Sequence, residues 1–145
     1  MARCLWTLSA DRARRRRERL AHRIPRRASG AALSAGQGGS VDEITPQELK
    51  QRLDANDRPV LLDVRDDWET KLCRLEHALH IPMEELEFRA EELDAKDEVV
   101  VYCHHGVRSA AVAEYLRSVG FARARNLSGG LDAWARSVDP AMRRY

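Results

Sequence analysis

From Val41 onward, short apolar runs alternate with stretches whose apolar residues recur every three or four positions, which is the pattern of strands alternating with amphipathic helices. Residues 41–44 predict a short strand. Thr45-Pro46-Gln47-Glu48 then forms a capping box with proline at the first helical position, and Leu49 and Leu53 share one face of a helix that closes across residues 54–59. Residues 60–64 predict a buried strand running out through Asp63 and Arg65, followed by a short helix over residues 66–73 opened by acidic side chains. Residues 78–81 predict a third strand, stopped by Pro82, and residues 84–93 a helix with Leu86 and Leu93 seven apart. The most hydrophobic strand is residues 99–102. Val112, Tyr115, Leu116 and Val119 mark the next helix, which Gly120 terminates. A last strand over residues 122–127 precedes Leu131, Trp134, Ala135 and Val138, whose helical spacing makes Trp134 a core anchor. The alternation predicts an α/β fold: an open parallel sheet of about five strands with helices on both faces.

Charge divides the chain. Residues 1–40 hold ten arginines against Asp11 and Glu18, a balance of +8; residues 41–145 hold the remaining 15 basic and 21 acidic side chains, a balance of −6. Residues 11–27 are an arginine run and residues 28–40 a linker of small residues, so residues 1–40 are expected to be a disordered extension to a domain over residues 41–145. Three readings stay open for it: a mitochondrial or plastid transit peptide, a basic helix over residues 12–24 that meets acidic surfaces or nucleic acid, or upstream sequence without a selected role. No aromatic side chain is interleaved with the arginines and no nucleic-acid module follows, which argues against a specific nucleic-acid partner. No apolar run reaches membrane-spanning length, so no membrane partner is expected.

Three cysteines, Cys4, Cys73 and Cys103, form no paired framework and suit a reducing compartment, with a cytoplasmic location as the expectation. Cys103 opens Cys103-His104-His105-Gly106-Val107-Arg108, a loop joining the strand at residues 99–102 to an amphipathic helix. A thiol at a helix N-terminus meets unpaired N–H groups and the helix dipole, which lower its pKa and attract anions. Gly106 allows a tight turn around the sulfur, and Arg108 adds a fixed positive charge. The competing reading, a buried structural cysteine, accounts poorly for two histidines, a glycine and an arginine in succession. Ligands in open parallel sheets bind beyond the carboxyl ends of strands, where Asp63 and Arg65 also lie. Arg65 is therefore a candidate second cation with Asp63 as its orienting partner; the plainer alternative is a strand-end salt bridge.

Five ordered segments resemble a single rhodanese domain from residue 41 to about residue 138. They are the Glu-Ile-Thr-Pro segment at 43–46; Leu62-Asp63-Val64-Arg65 followed by Trp68-Glu69; Ala78-Leu79-His80-Ile81-Pro82; the Tyr102-Cys103 loop; and Leu127-Ser128-Gly129-Gly130-Leu131-Asp132-Ala133-Trp134. The resemblance implies a sulfurtransferase of the thiosulfate type that needs neither cofactor nor metal. Cys103 would carry sulfane sulfur from a small anionic donor to a thiophilic acceptor, either cyanide or a thiol, including one borne by a protein. Backbone N–H groups of His104, His105, Gly106, Val107 and Arg108 would cradle the persulfide and the departing anion. His105, two positions after the cysteine, would help set substrate preference, Arg108 would close the cradle, and Ser109 would start the helix.

Two positions depart from the pattern. His77 stands where glycine is common, so a different turn is expected there; His104 replaces a common arginine, which ties the loop's charge to pH. Other chemistries remain to be weighed against sulfur transfer. The cell-cycle dual-specificity phosphatases, relatives of this fold, place five residues between cysteine and arginine, whereas this chain places four. A metal site would need Cys103, His104 and His105 with His77 or His80, although successive loop residues point apart. A thiol-dependent arsenate or redox enzyme would need Cys73 as a second thiol. A non-catalytic binding module would not need Cys103 at all.

Overall fold

The computed structural model describes residues 42–145, so the expectation for residues 1–40 lies outside the described residues. Within them, strands β1 (Glu43–Ile44), β2 (Val60–Asp63), β3 (Leu79–His80), β4 (Val99–Tyr102) and β5 (Ala124–Leu127) form one sheet in the order β1-β5-β4-β2-β3, and every pairing is parallel. Helices α1 (Pro46–Asp54), α2 (Asp67–Leu72), α3 (Leu86–Arg89), α4 (Val107–Ser118) and α5 (Gly130–Ser137) connect them. This is the expected α/β architecture.

Strand β4 lies at the centre, in register with β2 through Val60↔Val99 to Asp63↔Tyr102 and with β5 through Val99↔Ala124. Its side chains alternate between two cores. Val99, Val101 and the following Cys103 pack with Leu62, Val64, Leu86, Val112 and Leu116, under α3 and α4. Val100 and Tyr102 pack on the opposite face with Leu49, Leu61, Leu131 and Trp134, under α1 and α5. Burial on both faces explains why β2 and β4 read as nearly unbroken apolar runs. From β2 the chain moves outward to β3, and from β4 it moves the other way to β5. The reversal leaves a crevice between the carboxyl ends of β2 and β4, the place where such sheets bind ligands.

Two local expectations change. Residues 84–93 are not one helix: a 3-10 turn at Met83–Glu85, the single turn of α3 and a second 3-10 turn at Ala90–Glu92 replace it. Within that span only Leu86 and Leu93 are buried, too little apolar surface to hold a continuous helix. His77 adopts φ 60, so the turn keeps the left-handed backbone that glycine favours, at a cost of about 1 kcal/mol for a residue with a side chain.

Arg65 is the largest fully buried side chain, and the parity of the extended backbone explains its position. Following Val64, it turns to the face opposite Cys103, with its guanidinium 5.8 Å from the centre of the Tyr102 ring. Its Nε and Nη2 donate to the two oxygens of Asp63 at 2.9 and 2.7 Å. Nη2 also donates to the Cys73 carbonyl at 2.6 Å, and Nη1 to the Tyr145 hydroxyl at 2.7 Å and the Glu69 carbonyl at 3.4 Å. All five N–H groups of the guanidinium therefore have acceptors. Asp63 and Arg65 form the buried strand-end pair, and in this structure Arg65 presents no free donor as a second cation for a ligand. Replacing Arg65 with Met should strand the Asp63 carboxylate without its partner and destabilise the domain by about 3–5 kcal/mol, measured by urea unfolding. A loss below about 1 kcal/mol would show that the pair does not hold the end of β2.

Candidate active site

Cys103 leaves β4 on the α4 side, and its side chain is 1% exposed. Gly106 caps α4 with φ 92, so the helix starts at Val107, two residues before the expected start at Ser109. A Cβ at residue 106 would also lie 3.1 Å from the Gly129 nitrogen and 3.3 Å from the Leu127 carbonyl oxygen. The resulting turn brings the Gly106 N–H to 3.1 Å from Cys103 Sγ, with the Ser109 hydroxyl at 3.3 Å. Burial pushes the thiol pKa up, but the Ser109 hydroxyl and the amides of Ser109, Gly106 and His105 outweigh it and leave the pKa lowered. The loop favours a thiolate.

The loop is held from behind. The Leu131 and Asp132 N–H groups at the start of α5 donate to the carbonyl oxygens of Cys103 and His104, each at 2.9 Å. Gly130, at φ 61, allows this approach: a Cβ there would fall 2.5 Å from both carbonyl oxygens. With its carbonyls bound behind, the loop is left with amides facing the sulfur.

Arg108 and Glu69 form the charged wall. Glu69, on α2, receives both Arg108 Nη groups at 2.8 Å, the Tyr145 hydroxyl at 2.8 Å and the Asp66 N–H at 3.1 Å. Burial works to raise the Glu69 carboxyl, but these partners hold its pKa at about 2, so the carboxylate stays ionised. Arg108 is kept strongly cationic first by Glu69, with a further contribution from the charge of Cys103. The sequence marks Glu69 as the third residue of α2, a capping position, but gives no sign of its contacts with Arg108 and Tyr145.

His104 lies between two rings, His105 at 4.0 Å and 27° and Tyr145 at 4.0 Å and 21°. Partial burial, followed by the neighbouring His105 charge, lowers its pKa, so it is neutral near pH 7 and becomes cationic only in more acidic solution. His105 and Val107 are exposed at the rim. Among the described residues, one group has metal-ligand proximity: His104, His105 and Asp132, whose candidate atoms lie within 4.8 Å of one another. Asp132 is already paired with Arg136 at 2.8 Å and Arg144 at 3.2 Å, and the two imidazoles stack rather than converge, so the donor set fits a metal poorly. His80 is elsewhere, bonded through Nε2 to the Arg65 carbonyl at 2.7 Å. Cys73 packs against the core opposite Cys103 and is not placed as its resolving thiol.

Behind the sulfur, Ser109 Oγ lies 2.6 Å from Asn126 Oδ1, and Asn126 Nδ2 donates to Glu43 at 3.1 Å. Glu43 thus orients the amide, and Asn126 takes the Ser109 hydrogen while Cys103 is a thiol. When sulfur ionises, that single hydrogen can turn to it. Ser109→Ala should therefore raise the Cys103 pKa, read as a shift of the pH dependence of its alkylation toward more alkaline pH. An unchanged or lower pKa would assign thiolate stabilisation to the backbone alone.

A family model for the Rhodanese-like domain matches residues 45–137. A sulfurtransferase of Allochromatium vinosum is 38% identical over 96 residues, covering 66% of this chain and 90% of that protein. The putative sulfur carrier protein YrkF of Bacillus subtilis is 33% identical over 105 residues, covering 72% of this chain; the chain spans 57% of that longer relative. Among solved structures, the human single-domain sulfurtransferase TSTD1 superposes with a TM-score of 0.60 at 29% identity, covering 68% of this chain and 98% of that one. A family match across most of the described residues, on a parallel sheet that places a thiolate-favouring cysteine beyond its central strand, makes this chain a member of the rhodanese-like family.

Proposed function

We propose that the chain is a sulfurtransferase in which Cys103 carries sulfane sulfur from a small anionic donor such as thiosulfate to cyanide or a thiol. The observation that carries this reading is the ring of donors around one buried sulfur: the Gly106 amide at 3.1 Å, the Ser109 hydroxyl at 3.3 Å, and the lowered pKa they produce. In the first step the thiolate attacks the outer sulfur of the donor. A Cys103 S–S bond forms, the donor's S–S bond breaks, and sulfite leaves with the bonding pair. In the second step a cyanide carbon or a thiolate attacks the terminal sulfur, taking it as thiocyanate or a new persulfide and returning the Cys103 thiolate. Negative charge stays near the sulfur throughout, where the loop amides and the α4 N-terminus are already oriented to stabilise it. Arg108, fixed by Glu69, supplies a permanent cation beside the site for the donor and the departing anion.

The acceptor class includes thiols carried by proteins, and no step requires a cofactor. Among the described residues no helix is long and apolar enough to cross a membrane.

Incubating the protein with thiosulfate should add one sulfur atom to Cys103, and cyanide should remove it as thiocyanate, both visible by intact mass spectrometry. Cys103→Ser should abolish the exchange; an undiminished rate in that variant would overturn the assignment.

Loop length separates sulfur from phosphoryl chemistry. Inserting a glycine between Gly106 and Val107 should lower sulfur transfer at least about tenfold, the equivalent of one well-aimed hydrogen bond in the transition state. The unaltered protein should show negligible hydrolysis of aryl phosphates. Robust Cys103-dependent phosphatase turnover would instead favour the phosphatase reading.

A further inference from the structure

After α5 the chain folds back to the catalytic loop. Met142 packs against the core beside Trp134, and its N–H donates to the Asp139 carbonyl at 3.0 Å. Arg144 pairs with Asp132 at 3.2 Å, on the helix whose first turn holds the loop. The ring of Tyr145 then lies over His104 at 4.0 Å and meets Trp68 edge-on at 5.7 Å and 70°. Its hydroxyl accepts from Arg65 at 2.7 Å and donates to Glu69 at 2.8 Å. Tyr145 therefore touches both walls of the crevice: Trp68 and Glu69 on the segment after β2, and His104 on the loop after β4.

We propose that Tyr145 is a specificity-determining residue of this site, a roof that bridges the crevice, steadies Glu69 and Arg108 for a small anionic donor, and keeps bulky thiols from Cys103 until it lifts. The inference rests on the sulfurtransferase reading above and adds the basis on which substrates are admitted. Two features support a movable roof. Tyr145 is 38% exposed, so one side of it already faces solvent, and its contacts are ring stacking and side-chain hydrogen bonds rather than backbone pairing. The hydroxyl and the ring have separable tasks. The hydroxyl fills one acceptor site of Glu69, whose remaining contacts position Arg108; the ring spans the gap from Trp68 to His104.

The test compares Tyr145→Phe with Tyr145→Ala in the full chain. Alkylation of Cys103 is followed by peptide mass spectrometry, using iodoacetamide as the small reagent and fluorescein maleimide as the bulky one. Tyr145→Ala should raise the bulky-to-small rate ratio at Cys103 at least about fivefold, while Tyr145→Phe, which keeps the ring, should hold it within about twofold. In sulfur transfer, Tyr145→Ala should raise kcat/KM for glutathione relative to cyanide, and Tyr145→Phe should raise the thiosulfate KM about threefold with a smaller change in kcat. An alanine variant whose alkylation ratio stays within about twofold, or in which both reagents accelerate equally, would overturn the roof. Absence of sulfur transfer in the unaltered protein would remove the functional reading, yet the alkylation ratio would still decide whether Tyr145 controls access.

Discussion

The amides of Leu131 and Asp132 hold the carbonyl oxygens of Cys103 and His104, and this backbone pairing decides which way the loop faces. A peptide group presents either its oxygen or its N–H to a given side. Fixing these two oxygens behind the loop leaves N–H groups in front of the sulfur, where a developing negative charge needs them. Gly130 is the condition for the pairing, since any side chain there would meet both carbonyl oxygens at 2.5 Å. The thiolate-favouring environment of Cys103 is thus set by a contact between segments about thirty residues apart, formed only when α5 packs through Leu131 and Trp134 onto the sheet.

A second constraint is electrostatic. Asp63, Arg65, Tyr145, Glu69 and Arg108 form a continuous chain of hydrogen-bonded partners running from the end of β2 to the loop. Charges alternate in sign along it, with the tyrosine as the neutral link; burial raises the Tyr145 pKa to about 12, so its hydroxyl stays protonated and able to donate to Glu69. Burying Asp63 and Arg65 is unfavourable for each alone, and the complete set of acceptors around Arg65 offsets that cost. The outcome is one exposed-side cation, Arg108, held by a carboxylate that cannot readily be protonated.

The alternation of apolar runs and helical spacing made the strands, their burial and the core role of Trp134 legible in the sequence, because those features depend on residues close together in the chain. Cys103 at the entrance to α4 was legible for the same reason. The direction of Arg65 was not: its position at a strand end suggested a shared pocket, whereas backbone parity turns it beneath the sheet toward Tyr102. Glu69 reads locally as a cap. Its bonds to Arg108 and Tyr145 span 39 and 76 positions, beyond any periodicity. Residues 84–93 show a further limit, since two leucines seven apart fit a helix face yet bury too little surface to make one.

His104 shows why the site need not depend on a charged side chain at that position. Held between His105 and Tyr145 and partly buried, it is neutral near pH 7, so the positive potential at the sulfur comes from groups that do not titrate there: the amides, the α4 N-terminus and Arg108. An arginine in its place would project a flexible charge into the crevice. A neutral imidazole instead gives Tyr145 a flat surface to stack on. Under the proposed function, the imidazole would exchange direct attraction of the donor for a defined aromatic wall, and the selection of substrates would rest more on shape than on charge.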